Sequence, residues 1–283
     1  MKVWVGHGTN GALVDATNAQ VSVFDHGFTV ADGIFETMKI VDGRVFLWPW
    51  HLERLQHSAA VLGLQLPGDA HLTDVVLAVA RASSDDVSGT GRLRLTITGG
   101  DGPLGSDRSG SAVTVVCAAA ASKAWPPSAR LHIASWPRNE HSPLAGAKST
   151  SYAENVMALE QAHSFGASEA IFFNTSGMLA EGTGSNIFIV NDGVVATPPT
   201  SDGLLAGITR RFVLSLGDAD IRVAERSITR NDLDTADEVF LTSSTRDIQP
   251  VDRVNDRVYR IGPITQELQR RFAATAALPE HWS

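Results

Sequence analysis

The spacing of apolar and polar residues changes period several times along the chain, and each change predicts an element. Val3 and Val5, then Val21 and Val23, are separated by GHGTNG, which predicts a strand, a turn and a strand within residues 1–24. Ile34 to Ile40 and Val45 to Trp48 flank Val41-Asp42-Gly43-Arg44, and an Asp-Gly pair between apolar runs marks a hairpin. Pro49 suits a first helical turn; Leu52, Leu55, Ala59 and Leu62 then keep helical spacing, with Arg54 on a different face. Asp69 through Leu72, Val75, Val76 and Val79 predict a second helix over 69–82. SSDDVSGTG reads as a loop and RLRLTITGG as an alternating strand with Arg92 and Arg94 on one face. GGDGPLGSDRSGS reads as irregular, and AVTVVCAAA as another strand.

At 119–128, AAASKAWPPS, alanine gives way to Trp-Pro-Pro, which reads as a linker between a domain over 1–118 and a second over 129–283. The second opens with a strand, RLHIASW, and an irregular stretch, PRNEHSPLAGAKST. A helix follows from Tyr152 to Phe165, with Val156, Leu159, Ala162 and His163 at helical spacing and Gly166 as its stop. EAIFF, MLAEGTGSNIFIV and VVATPP, joined by the turns NTSG and NDG, predict an antiparallel meander. SDGLLAGITRRFVLSLG reads as a loop running into a helix, IRVAERSI as a strand, and DEVFLTSSTRDIQPV as an apolar strand ending in four hydroxyl residues. A final helix begins near Thr265 and is expected to fray at LPEHWS.

Composition narrows the function classes. The 283 residues suffice for one large or two modest cores, and 43% apolar with 19% charged residues describes an ordinary globular protein. A net charge of -8 argues against a nucleic-acid partner. Cys117 is the only cysteine, so intrachain disulfides and a cysteine-zinc cluster are excluded. His7, His26, His51, His57, His71, His132, His141 and His163 lack metal-ligand spacing and read as surface or packing residues; no metal is expected. No apolar run approaches the roughly 20 residues of a membrane span, and MKVWVGHGTNG lacks a long signal core, so a cytoplasmic protein is the expectation.

Four local features then ask for a phosphorylated aldehyde cofactor. Lys148, in LAGAKST, has no acidic sequence neighbours, and partial burial would lower its pKa as a Schiff-base amine needs. Glu181, between an apolar strand end and Gly182-Thr183-Gly184, could keep a pyridine nitrogen protonated. Gly207-Ile208-Thr209 opens a helix, where free N–H groups favour phosphate. Thr242-Ser243-Ser244-Thr245 offers hydroxyls for the same anion, and Arg54 a charge-assisted contact. Taken singly, each has a plainer reading: a solvated lysine, a solvated turn carboxylate, ordinary cap chemistry, a solvated arginine on a helix face. No GxSxG, HExxH, GxxxxGK[ST] or GxGxxG element stands in its required context.

Six motifs, DGIFETMK, HLERL, AKSTSYAENVMA, AEGTGSNIF, LLAGITR and FLTSSTRDIQPV, occur in one order over nearly the whole chain. Together they resemble the class IV aminotransferases, the fold-type IV pyridoxal phosphate enzymes. The resemblance implies a two-domain fold of α+β and α/β parts: a small α+β domain and a larger pseudo-barrel α/β domain. It makes Lys148 the Schiff-base lysine and general acid/base, and Glu181 the partner of the pyridine nitrogen. Arg54, Gly207, Ile208, Thr209, Ser243 and Ser244 would hold the phosphate, Leu205 would pack on the ring face, and Tyr152 would help hold the ring hydroxyl. It also implies a homodimer whose partner chain closes the substrate pocket, with the loop over 99–110 as the closing segment.

The reaction is less sharply marked. Thr37, Lys39 and Arg94, with Phe35 beside them, are similar to the substrate-binding pattern of 4-amino-4-deoxychorismate lyases, yet GGDGPLGSD lacks their arginine-bearing loop. EGTGSNIF and FLTSSTRD look more like the D-amino-acid branch, although its arginine–histidine carboxylate trap is incomplete: Arg108 is present without a nearby histidine. The tyrosines of the branched-chain pattern are absent, with Val30 and Thr37 in their places. The resemblance therefore favours a transaminase acting on an amino donor and a 2-keto acid, with D-amino-acid or R-amine preference. The lyase is the alternative, and a non-catalytic binding module the remote one.

Overall fold

The computed structural model describes residues 1–84, 86–87, 89–108 and 110–283, and the chain divides into two compact units. The first comprises residues 1–123, 147–151 and 279–283; the second comprises 124–146 and 152–278. The chain leaves the first unit inside the expected linker, but two later segments return to it. The loops expected over 83–91 and 99–110 include residues 85, 88 and 109, which lie outside the described residues.

In the first unit, β1 (Lys2–His7), β2 (Asn10–Asp15), β3 (Gly33–Val41), β4 (Arg44–Val45), β5 (Thr90–Thr98) and β6 (Thr114–Ala121) form an antiparallel sheet in the order β2-β1-β6-β5-β3-β4. The return strand after β1 is Asn10–Asp15, not the run around Val21 and Val23. Gly8 takes a left-handed conformation, so the hairpin closes at once. Asp42 and Gly43 both have positive φ, 48° and 72°, as the two-residue hairpin turn between β3 and β4 requires. A short turn of helix, α1 (His26–Thr29), precedes β3; α2 (Trp48–Leu62) and α3 (Asp69–Ala82) supply the helical layer. Leu55, Leu72, Val76 and Val79 bury their faces in one core with Ile34, Met38, Leu93, Leu95 and Ile97.

Residues 147–151 join this unit through β3. Phe35 N donates to Lys148 O at 2.9 Å, and Thr150 N to Gly33 O at 2.8 Å. The C-terminal residues are likewise paired instead of frayed: Val45 and Ser283 exchange two backbone hydrogen bonds of 2.9 Å, and Trp282 packs 5.0 Å from the Phe46 ring.

The second unit contains β7 (Ala129–Ile133), α4 (Ala153–Ser164), β8 (Glu169–Phe173), β9 (Leu179–Gly182), β10 (Asn186–Asn191), β11 (Val194–Thr197), α5 (Ile208–Leu214), β12 (Val223–Glu225), α6 (Arg230–Thr235), β13 (Glu238–Ser243), β14 (Asp247–Val254), β15 (Arg257–Val258) and α7 (Pro263–Ala276). Eight strands run in the order β12-β11-β10-β13-β14-β7-β8-β9, and β15 pairs with β14. The meander expected from EAIFF to VVATPP is instead two hairpins, β8–β9 and β10–β11. They are separated in the sheet because β10 pairs along its length with β13. Both faces are buried. Phe188 stacks on Phe240 across the β10–β13 pair, 4.8 Å between centroids, while Ile187, Ile189, Val239 and Leu241 fill a core on the other face. That double burial explains why VFL and IFIV read as continuous apolar runs. Among the described residues no helix is long and apolar enough to cross a membrane.

Candidate active site

Alternation along β3 sorts the first unit's candidates onto two faces. Ile34, Glu36, Met38 and Ile40 point one way; Phe35, Thr37 and Lys39 point the other. The register sets Phe35 opposite Thr96, Thr37 opposite Arg94 and Lys39 opposite Arg92, so these six side chains share one face. Lys148 lies over the same face: its Nζ stands 4.4 Å from the Phe35 ring centroid, and the Arg94 guanidinium carbon 3.7 Å from it. Two cations on one ring, with Lys39 and Arg92 alongside, make this a positively charged surface suited to carboxylates. Lys148 is half-buried, not the freely solvated lysine of the plain reading.

The opposite face holds a buried polar cluster. Glu36 is fully buried and accepts Arg54 Nε at 2.8 Å, Arg54 Nη2 at 2.6 Å and His51 Nδ1 at 2.7 Å. Burial by itself would raise the Glu36 pKa. The Arg54 charge and the hydrogen bonds from Arg54 and His51 outweigh it and hold the carboxyl at about 2. Burial lowers the His51 pKa in spite of Glu36, so the imidazole stays neutral and its Nδ1–H donates. Arg54 is therefore no solvated helix residue, and His51 is a buried partner of Glu36, not a surface histidine. Ser58, one turn after Arg54, donates to Arg54 O and accepts Lys148 N, each at 3.0 Å, which ties the Lys148 backbone to α2. A signal for Glu36 exists in the sequence: it is a charge on the apolar side of an alternating strand.

In the second unit, the remaining candidates gather at strand ends and loops. Glu181 is the penultimate residue of β9; its Oε2 accepts Leu205 N at 3.0 Å, and its Oε1 lies 3.7 Å from Arg138 Nη2. Arg138 also donates to Asn155 Oδ1 at 3.1 Å and stacks on Phe172. Gly207 caps α5, which begins at Ile208 and buries Ile208 and Thr209. A Cβ on Gly207 would stand 1.8 Å from Asn186 Oδ1, so any other residue there forces Asn186 or the loop to move. Asn186 also donates to Leu205 O at 2.9 Å and pairs in register with Thr242, bringing 205–207 beside the end of β13. Ser243 and Ser244 stand where β13 turns into β14, and Tyr152 caps α4.

This donor set fits pyridoxal phosphate. The Gly207 cradle, the α5 N–H groups and the 243–244 hydroxyls are acceptable phosphate ligands. Thr242 Oγ1 and Ser185 Oγ are buried with no protein hydrogen-bond partner, as polar groups facing a ligand or water are. One candidate is not brought into either group. Arg108 donates to both Asp32 oxygens and to the carbonyls of Leu62 and Gly63 at the end of α2, so its guanidinium is held within its own unit.

Sequence reasoning missed Glu36, Ser58, Arg138, Asn155, Glu169, Asn186 and Arg246, all of which hold candidate residues or the turns that carry them. Several sit inside the quoted motifs, but their partners are distant in sequence.

The fold is that of the fold-type IV pyridoxal phosphate enzymes. The family model for amino-transferase class IV matches residues 33–254, and this chain belongs to that family of transaminases and their lyase relatives. It is 36% identical over 286 residues to a Methanocaldococcus jannaschii protein provisionally named a branched-chain-amino-acid aminotransferase, covering 96% of this chain and 95% of that one. It is 30% identical over 268 residues to the aminodeoxychorismate lyase of Bacillus subtilis, covering 92% and 91%. Among solved structures, the branched-chain aminotransferase of Thermoproteus uzoniensis with norvaline superposes with a TM-score of 0.89 at 33% identity, covering 98% of this chain and 94% of that one.

Proposed function

We propose that this chain binds pyridoxal phosphate through Lys148 and moves an amino group between an amino acid or amine and a 2-keto acid. The observation that carries the reading is Lys148 Nζ over Phe35, on the face that also bears Thr37, Lys39 and Arg94. When bound, the cofactor supplies the electron sink for chemistry at the substrate's Cα. Lys148 would hold the aldehyde and would take the substrate's Cα proton as general base. Glu181 would keep the ring nitrogen protonated, with Arg138 and Leu205 N orienting its carboxylate. Arg54, Gly207, Ile208, Thr209, Ser243 and Ser244 would hold the phosphate, Leu205 would pack on the ring, and Tyr152 would help hold its hydroxyl. Arg94 and Lys39 receive the substrate carboxylate, with Thr37 adding a hydroxyl.

The preferred donor is a D-amino acid or R-amine, following the EGTGSNIF and FLTSSTRD motifs; the branched-chain names of similar proteins make L-leucine the necessary competitor in any assay. The cluster of Thr37, Lys39, Arg92 and Arg94 supports a second reading, release of pyruvate and 4-aminobenzoate from aminodeoxychorismate. One experiment tests both. The purified protein is mixed with pyridoxal phosphate, then with D-alanine, R-1-phenylethylamine, L-leucine or aminodeoxychorismate. The expected result is a visible band, absent from Lys148→Ala, that is bleached by an amine. A colourless protein overturns the cofactor reading, and 4-aminobenzoate release without reaction of any amine overturns the transaminase.

A homodimer is part of the proposal. Val21, Val23, Phe24, Phe28, Val30 and Leu104 are exposed, Phe28 and Leu104 by 76% each. Backbone hydrogen bonds between Gly102 and Phe24 and between His26 and Gly100 tie their segments together. An apolar group of that size suits a subunit contact, and light scattering at the mass of one chain would remove it.

A further inference from the structure

Glu169, the first residue of β8, is buried at 1% exposure. Its carboxylate joins two separate turns. Oε1 accepts Gly184 N at 2.9 Å and the Thr183 hydroxyl, within the turn that follows Glu181. Oε2 accepts Arg246 Nη2, in the turn that follows Ser243 and Ser244. Each turn has further ties. Asn155 Nδ2 donates to Thr183 O at 2.6 Å. Arg246 N donates to Ser243 O at 3.1 Å, and the guanidinium, 7% exposed, lies 4.0 Å from the Trp125 ring centroid. Arg246 Nη1 also reaches Gln249 Oε1 at 3.3 Å, and Gln249 Nε2 donates to Pro126 O at 2.9 Å.

Buried ion pairs are poor stabilisers compared with well-packed apolar side chains, because both charges lose their hydration. What such a pair can do is fix one geometry, since each buried charge must stay with its partners. A bound group held at both ends needs that kind of fixed spacing, and ligand-holding residues depend on partners behind them to stay in place.

We propose that Glu169 and Arg246 are positioning residues for the cofactor: their buried pair sets the spacing between the turn behind Glu181 and the turn bearing Ser243 and Ser244. This rests on the pyridoxal phosphate reading of the same site. Neither residue touches the cofactor; each acts through the turn it holds. Arg246 governs the phosphate end and Glu169 both ends.

The test is the affinity of the apoprotein for pyridoxal phosphate and for pyridoxal, which lacks the phosphate, together with the melting temperature. Wild type, Arg246→Met and Glu169→Gln are compared; the glutamine keeps an acceptor for Thr183 and Gly184 but loses the charge. Arg246→Met is expected to weaken pyridoxal phosphate at least about tenfold and pyridoxal by much less, since a tenfold change corresponds to about 1.4 kcal/mol in a contact that only the phosphate makes. Glu169→Gln is expected to weaken both ligands, pyridoxal phosphate more than pyridoxal because both ends are released, and to shift the pH titration of the visible band. If Arg246→Met does not fold, Glu169→Gln decides alone. Equal weakening of both ligands alongside a lower melting temperature would mean a structural role only and overturns the proposal, as does unchanged affinity. A wild type that takes up no pyridoxal phosphate defeats the site reading itself, and this proposal with it, whereas a wild type that binds while both variants bind equally well defeats the positioning role alone.

Discussion

The two units place chemistry on their sheets in opposite ways. In the first, β3 and β5 alternate, one face packs on α2 and α3, and the other is left to Phe35, Thr37, Lys39, Arg94 and Lys148. In the second, the central strands are buried on both faces, so its polar candidates stand at strand ends and in turns: Glu181, Leu205, Gly207, Ser243 and Ser244. Each unit nevertheless keeps one fully buried carboxylate paired with an arginine, Glu36 with Arg54 and Glu169 with Arg246. In the first unit the arginine is itself a proposed phosphate ligand. In the second the pair stands behind the proposed ligands and ties their turns. A half-open sheet can present a face, whereas a closed one can present only its edges and must brace them.

The sharpest way to break this contrast is Glu36→Ala. It strands Arg54 and His51 in a buried site and is expected to cost roughly 3–5 kcal/mol, read from urea unfolding. A loss below about 1 kcal/mol would mean that water replaces Glu36 and that the first unit needs no such pair. The same carboxylate gives a pH signature. Its pKa is about 2 in the folded protein against an ordinary 4.5, so its stabilisation is complete above pH 4.5 and is lost as pH falls from there through 2. Glu36→Gln is expected to flatten that acid limb of the stability curve; an unchanged limb would show that other carboxylates carry it.

Gly207→Ala probes the second unit's edge. The new Cβ meets Asn186 Oδ1, so Asn186 or the loop must shift, at about 1–3 kcal/mol and with weaker pyridoxal phosphate binding. Binding equal to wild type would show that the 205–209 turn does not hold the phosphate. The smallest effect sharpens the comparison by leaving the site alone. Thr229 and Asp232 form a capping box at α6, and Thr229→Ala should cost about 1 kcal/mol with no change in cofactor affinity. A change in affinity there would mean that the second unit's edges respond to any local loosening.

Much of the molecule was legible because local physics is local in sequence. The helix over 69–82, the Asp42-Gly43 hairpin and the stop at Gly166 rest on periodicity and positive φ, and each stands where those rules put it. Val21 and Val23 misled because an alternating apolar pair carries no information about its partner strand; the hairpin had already closed at Gly8. Arg54 misled for a related reason. A helix-face argument sees only its own helix, and the carboxylate that draws Arg54 inward comes from β3, 18 residues earlier.

The sequence by itself determined the family, through six ordered motifs, and with it the candidates for the lysine, the carboxylate and the phosphate cup. Tertiary structure decided where those residues stand and what holds them. Lys148 belongs to the first unit because its backbone pairs with Phe35, and nothing near residue 148 encodes an unpaired strand edge more than 100 residues earlier. Glu169 and Arg246 are 77 positions apart, and each alone reads as an ordinary charge. Their meaning exists only when both lose water together, which is a property of the folded interior and not of any segment.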